Sequence, residues 1–242
     1  MSSIAYGGLD VHKDRISACL IHSGTGEMFH DQVPNEQIEV LRAVRRWSKL
    51  GELRLCYEAE ACGYVLYRWL DKVGISCEVI APSLIPRAPG DRVKTDRRDA
   101  RQLAKLYAAG MLKAVRKPSE EEEAVRAVVR LREQLTTDVV RQKNRVLKYL
   151  RTQGVVYRGG KAWTKRYWEW VRGVELPEKA RYIVDILLEE LEKQQEWQAR
   201  VGRRIEEIAK TEPYAGMIEK LKCLRGIGTT TAMVIVSEAG DI

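Results

Sequence analysis

The 242-residue sequence has no run of about 18 consecutive apolar residues, the length a membrane helix needs, so no membrane partner is expected. Its N-terminus has no basic stretch ahead of an apolar one, and secretion is not expected. Cysteine is sparse and unpaired: Cys19, Cys56, Cys62, Cys77 and Cys223 form no Cys-x-x-Cys pair and are odd in number. That pattern indicates neither a structural zinc site nor a disulfide framework, and it fits reduced thiols in the cytoplasm. Convincing strands are missing between about residues 119 and 210. What is present is an ordinary globular composition, 45% hydrophobic and 31% charged, with room for one large domain or two modest ones.

Charge is unevenly spread. The stretch 87–172 holds 23 basic and 10 acidic residues, a net +13, whereas the remainder holds 19 and 24, a net −5. A basic block in an otherwise acidic chain points to a polyanion, nucleic acid above all, although a solvated arginine-rich helical face has the same composition.

Patterning divides the chain into three expected regions, 1–115, 116–212 and 213–242. In the first, Ile4–Asp10, Ile16–His22 and Glu27–Val33 read as hairpin-connected strands. A helix follows over Glu36–Leu50, with Asn35 as its expected N-cap. A strand over Leu53–Tyr57 ending at Glu58, a helix over Tyr64–Val73 stopped by Gly74, and a strand over Cys77–Ala81 complete a mixed α/β sheet with helices on its faces. In the second region Ser119 and Glu122 form a capping-box signature for a helix that runs to a break near Gly154. A second long helix opens at Leu176-Pro177-Glu178. Its positions 180, 184, 187, 191, 194, 198, 201, 205 and 208 form a coiled-coil-type stripe with Gln194 and Gln198 as its only polar members. Such a stripe supports dimerisation or an antiparallel hairpin with the earlier helix. The aromatic cluster Trp163, Tyr167, Trp168 and Trp170 has two readings, a packed core or a platform for unpaired bases. In the third region Gly226-Ile227-Gly228 precedes an apolar helix, a turn whose backbone N–H groups can face a phosphate or serve only the backbone.

Carboxylates carry the chemistry. Asp10 ends the first strand and Glu58 the fourth, while Asp96 and Asp99 share one face of a helix start that Thr95 is placed to cap. Four such acids can gather around divalent metal, and paired Mg²⁺ ions can stabilise the attacking and leaving oxygens of a phosphodiester reaction. Each acid taken singly also reads as a turn or helix-start residue. Glu60 rivals Glu58, because period two puts both on one face of an extended strand.

Four segments resemble the DEDD transposases of bacterial insertion sequences, in the insertion-sequence-110/1111 family that includes bridge-RNA-guided recombinases. They are Gly8-Leu9-Asp10-Val11-His12-Lys13; Tyr57-Glu58-Ala59 with Gly63-Tyr64; Ala81-Pro82-Ser83-Leu84-Ile85-Pro86; and Asp91 to Ala100, whose Lys94-Thr95-Asp96-Arg97-Arg98-Asp99-Ala100 is the most specific. The resemblance implies an RNase H-like, Holliday-junction-resolvase-type domain over 1–115, then a coiled-coil and nucleic-acid-binding region, then the start of a C-terminal transposase domain. It assigns the catalytic, metal-binding tetrad to Asp10, Glu58, Asp96 and Asp99, favouring Glu58 over Glu60, with Mg²⁺ or Mn²⁺ as cofactor. It implies strand cleavage and exchange on DNA guided by a structured RNA, in the bacterial cytoplasm, by a dimer or tetramer assembled through the coiled-coil region. Lys94, Arg97, Arg98, Arg141, Lys143, Arg145, Lys148, Arg151, Lys165 and Arg166 are the expected nucleic-acid contacts. Family members are thought to use a C-terminal serine as nucleophile. That serine is expected downstream of Ile242, so this sequence reads as truncated, and Ser237 does not match it. The alternatives are a stand-alone metal-dependent junction resolvase or nuclease, and a non-catalytic nucleic-acid-binding scaffold.

Overall fold

Three antiparallel strands open the chain: β1 (Ile4–Val11), β2 (Arg15–His22) and β3 (Met28–Pro34). After helix α1 (Gln37–Trp47) the chain returns through β4 (Glu52–Glu58), helix α2 (Val65–Asp71), β5 (Ser76–Ile80) and helix α3 (Asp96–Ala108). In this computed structural model, which describes residues 3–59, 63–86 and 95–239, the sheet order is β3-β2-β1-β4-β5. β4 lies parallel to both β1 and β5. A five-stranded mixed sheet with helices on both faces is the RNase H-like architecture the sequence implied.

The strand period sorts side chains between the faces. Ala5, Leu9 and Val11 of β1, with Leu53, Leu55 and Tyr57 of β4, pack against Val40, Ala43, Val44 and Trp47 of α1 and Leu66 and Leu70 of α2. The opposite face is built from small residues. Cys19 meets Ala100 and Ala104 of α3, while Cys56 and Ile80 meet Leu103. Between them lies Gly8, where an added Cβ would stand 2.3 Å from the Ala104 nitrogen and 2.4 Å from the Ala100 oxygen. Only a glycine lets the α3 backbone lie this close to β1. The thiols of Cys19, Cys56 and Cys77 are free and buried and that of Cys223 is free and exposed; Cys62 lies outside the described residues.

One cap differs from expectation. The N-cap of α1 is Glu36, with no side-chain bond, and the helix gives way to a 3-10 turn at Ser48–Leu50. Asn35 is drawn away from capping because its amide donates to the His12 carbonyl at 2.8 Å and its backbone N–H to Asp14.

Residues 118–242 form a second compact unit, distinct from 1–117, in which α4 (Glu120–Thr152) begins with the expected reciprocal capping box. Glu122 N–H donates to Ser119 Oγ and Ser119 N–H donates to Glu122 Oε2. Helices α5 (Lys165–Gly173), α6 (Glu178–Ile208), α7 (Tyr214–Lys222) and α8 (Thr229–Ala239) follow. The coiled-coil-type stripe of α6 is used within the chain: Gln198 donates to Thr136 Oγ1 at 2.8 Å and Gln142 to the Leu187 carbonyl at 2.9 Å, so α6 runs antiparallel along α4. The aromatic cluster is a core. Tyr167 is fully buried, and Trp163, Trp170 and Tyr157 pack their rings around it at 4.8–5.5 Å, with Trp168 against Trp163. These contacts carry the packed-core reading, with Trp163, Trp168 and Trp170 half-buried around Tyr167. Tyr214, Ile218, Ala232, Met233 and Val236 share a core with Val125 and Val129 of α4 and Ile205 of α6. Ser237 is buried there, its hydroxyl donating to the Val234 carbonyl. Among the described residues no helix is long and apolar enough to cross a membrane.

Two glycine substitutions test the packing. Gly8→Ala drives a methyl group into the α3 backbone and is expected to destabilise the first unit by about 1–3 kcal/mol. Gly216→Ala, inside α7 with nothing within 4 Å of the new Cβ, is expected to stabilise by about 0.5–1 kcal/mol. Denaturant unfolding midpoints check both, and an unchanged midpoint for Gly8→Ala contradicts the close approach.

Candidate active site

Helix α3 runs antiparallel to β1: Ala100 and Ala104 lie over Gly8, and Tyr107 stacks edge-on against Tyr6 at 5.8 Å. Its N-terminus therefore stands over the C-terminal end of β1. Thr95 occupies the N-cap position in extended conformation, without a side-chain bond, and its carbonyl accepts from Arg98 and Asp99. Asp96 and Asp99 thus begin the helix on the side facing the strand ends. On β1, period two from Gly8 puts Asp10 on the α3 face. The register pairing Leu9 with Tyr57 leaves Asp10 and Glu58 as the next residues on neighbouring parallel strands, and Glu58 shares the face of Cys56. All four acids of the expected tetrad therefore belong to one face and one end of the sheet.

Distances show how closely they gather. His12 Nε2 donates to Asp10 Oδ2 at 3.0 Å and lies 3.4 Å from Asp96 Oδ1. Arg15 sends two N–H groups to the other Asp96 oxygen, Oδ2, at 2.8 and 3.2 Å. Donor atoms of Asp10, His12 and Asp96 lie within 4.8 Å of one another, a set suited to a divalent cation. Burial pushes the Asp10 carboxyl above its ordinary range; His12 opposes this, while the charges of Asp96 and Asp99 push it further up. Asp96 is held below its ordinary range, chiefly by the hydrogen bonds from Arg15. Glu58 is half-buried. Glu60 and Lys94 lie outside the described residues.

The expected nucleic-acid contacts fall in two groups. Arg97 and Arg98 are exposed on the first turn of α3, and the charge of Arg97 acts on Cys19 and His30 in β2 and β3. Along α4, Arg141, Arg145, Lys148 and Arg151 are exposed, with Arg141 paired to Asp138 and Arg145 to Glu190. Lys143 is half-buried, its ammonium 5.8 Å from the Trp163 ring centre. Lys165 and Arg166 are exposed in the first turn of α5.

Sequence reasoning missed His12 and Arg15. The available signal for His12 was its i+2 spacing from Asp10, which keeps both side chains on one face; a hairpin turn between strands gave no sign that Arg15 would reach residue 96.

Residues 7–153 match a family of transposases, the DEDD transposases of IS110 type. The chain is similar to the transposase for insertion sequence element IS1533 of Leptospira borgpetersenii, 32% identical across 100% of the chain and 71% of that protein. The y4qE protein of Sinorhizobium fredii is 35% identical across 98% of the chain and 58% of its own length. The transposase for insertion sequence element IS1111A of Coxiella burnetii is 23% identical across 100% of the chain and 65% of its length. The chain thus spans between 58% and 71% of these relatives.

The Asp10 environment gives a signed pH prediction. A carboxyl whose pKa is raised by folding contributes stability below its unfolded pKa and loses it as pH rises through the folded value. In chelator, Asp10→Asn is therefore expected to melt above the wild type at pH 7, by about 2–4 °C for each kcal/mol relieved, with the gap closing as pH falls toward the unperturbed aspartate range. Calorimetric melts across that range check it, and a gap that widens on acidification contradicts it.

Proposed function

The chain belongs to the IS110-type family of DEDD transposases, and on that premise we propose that its N-terminal unit supplies, in the pocket formed by Asp10, Glu58, Asp96 and Asp99, the metal-binding acids of a DNA strand cleavage and exchange reaction guided by a structured RNA, the serine nucleophile not being among its residues. The observation that carries this reading is the convergence of Asp10 and Asp96, from segments more than eighty residues apart, on the single His12 nitrogen. A protein that used these acids only as turn and helix-start residues would have no need to bury Asp10 beside two further negative charges.

Asp10 and Asp96, with Glu58 and Asp99 beside them, would hold Mg²⁺ or Mn²⁺. When bound, such an ion supplies neutralisation of charge on a scissile phosphate and activation of the attacking oxygen. The chain's own residues do the rest. Arg15 fixes the rotamer of Asp96 by occupying one oxygen. Arg97 and Arg98, with Lys94, bind phosphates flanking the cut. Arg141, Arg145, Lys148 and Arg151, with Lys143, Lys165 and Arg166, hold nucleic acid through backbone contacts that carry no sequence information. Sequence choice therefore falls to the pairing of guide RNA with DNA, and the active assembly is a dimer or tetramer of the chain.

Cleavage of a branched DNA substrate in Mg²⁺ or Mn²⁺ tests the site. Asp10→Ala and Asp96→Ala are each expected to lower the rate by about 100-fold or more while leaving DNA affinity in place. Full activity in either variant ends the proposal, and hydrolysis without strand joining favours a resolvase. Lys148→Ala and Arg151→Ala are each expected to weaken nucleic-acid binding evenly across sequences and to lower the slope of log affinity against log salt by about 1. Fluorescence anisotropy titrations at several salt concentrations measure it.

A further inference from the structure

We propose that His12 is itself a ligand of the divalent cation, making the centre a mixed carboxylate–imidazole site that favours Mn²⁺ over Mg²⁺. This rests on the reading above that a cation binds between Asp10 and Asp96.

The geometry leads there directly. Neighbouring oxygen or nitrogen ligands on an octahedral ion, each about 2.1 Å from the metal, lie about 3 Å from one another. His12 Nε2 is 3.0 Å from Asp10 Oδ2 and 3.4 Å from Asp96 Oδ1. The imidazole therefore already stands at ligand-to-ligand spacing from both carboxylates, with one proton shared toward two oxygens. A cation can take that proton's place: Nε2 releases its proton to solvent and offers its lone pair while the ring keeps one proton on Nδ1, taken up from solvent where the imidazole starts neutral.

The surrounding chain holds this arrangement. His12 lies in the tight turn between β1 and β2, its N–H donating to the Arg15 carbonyl at 2.9 Å and its own carbonyl accepting from Asn35 at 2.8 Å. The Arg15 side chain then engages Asp96 Oδ2 alone, so that Oδ1 is the oxygen presented to His12. Arg15 is thus a positioning residue acting through Asp96. One β-hairpin supplies both the nitrogen donor, from its turn, and the group that aims its carboxylate neighbour, from the first residue of β2.

The ligand type sets the metal preference. Mg²⁺ is a hard ion that dehydrates reluctantly and is bound through oxygen, whereas imidazole is a ligand of first-row transition ions. Replacing one oxygen by a histidine nitrogen therefore shifts preference toward Mn²⁺.

The test uses the whole chain, titrated with MnCl₂ or MgCl₂ in a calorimeter, together with pulsed electron paramagnetic resonance of the Mn²⁺-loaded protein. The expected result is a ¹⁴N coupling from one imidazole in the wild type that disappears in His12→Ala. The Mn²⁺ dissociation constant should rise by about tenfold or more and that for Mg²⁺ by less than about threefold. His12→Gln, which keeps an oxygen donor of similar reach, should retain Mg²⁺ binding and lose the ¹⁴N signal, separating ligand loss from a disturbed turn. A nitrogen-free Mn²⁺ spectrum in a wild type whose binding Asp10→Asn abolishes overturns the role of His12 and leaves the acidic site intact. Failure of the wild type to bind either ion, or binding unaltered in Asp10→Asn, overturns both.

Discussion

The backbone of α3 rests on Gly8 of β1, and the position of Asp96 and Asp99 over the strand ends that carry Asp10 and Glu58 follows from that contact. Small residues on either side, Cys19 on β2 with Ala100 and Ala104 on the helix, let helix and sheet approach without a layer of bulky side chains between them. Closeness matters because Asp96 and Asp99 ride on the first turn of α3, and a helix displaced outward by one side-chain thickness would carry them away from the strand ends. A larger residue at position 8 would therefore perturb the acidic pocket through the helix rather than through any contact of its own.

Bringing those acids together has an electrostatic cost, which the β1–β2 turn offsets. Asp10 is disfavoured as an anion by burial and by its acidic neighbours, and His12 and Arg15 face the cluster with N–H groups at hydrogen-bond distance. His12 lies in the β1–β2 turn and Arg15 opens β2 directly after it, a turn whose shape is held by Asn35 reaching back from the end of β3. A single local structure thus stabilises a long-range convergence. Because these pairs are partly exposed, their individual contributions are modest, and their larger effect is on orientation.

Much of the first unit was legible in the sequence. The strands and the positions of Asp10 and Glu58 at strand ends could be read because hydrophobic alternation of period two is strong there, and parallel pairing of β1 with β4 then forces the two acids side by side. The capping box at Ser119 was equally legible, since its partners are three residues apart. The misses share a cause: each side chain was claimed by a partner distant in sequence. Asn35 had the chemistry of a cap and was taken by His12. Arg15 carried no sequence signal and pairs with a residue 81 positions away.

The α6 stripe shows why periodicity alone leaves assembly open. An apolar seam interrupted by Gln194 and Gln198 serves equally well against a second copy or against an earlier helix. Here α4 covers it, and two polar contacts mark the register: Gln198 of α6 donates to Thr136, and Gln142 of α4 donates to the Leu187 carbonyl. Sliding α4 by one turn would break both bonds. The register also determines which residues remain outside, and Ile183, Ile186 and Trp197 are left exposed on α6.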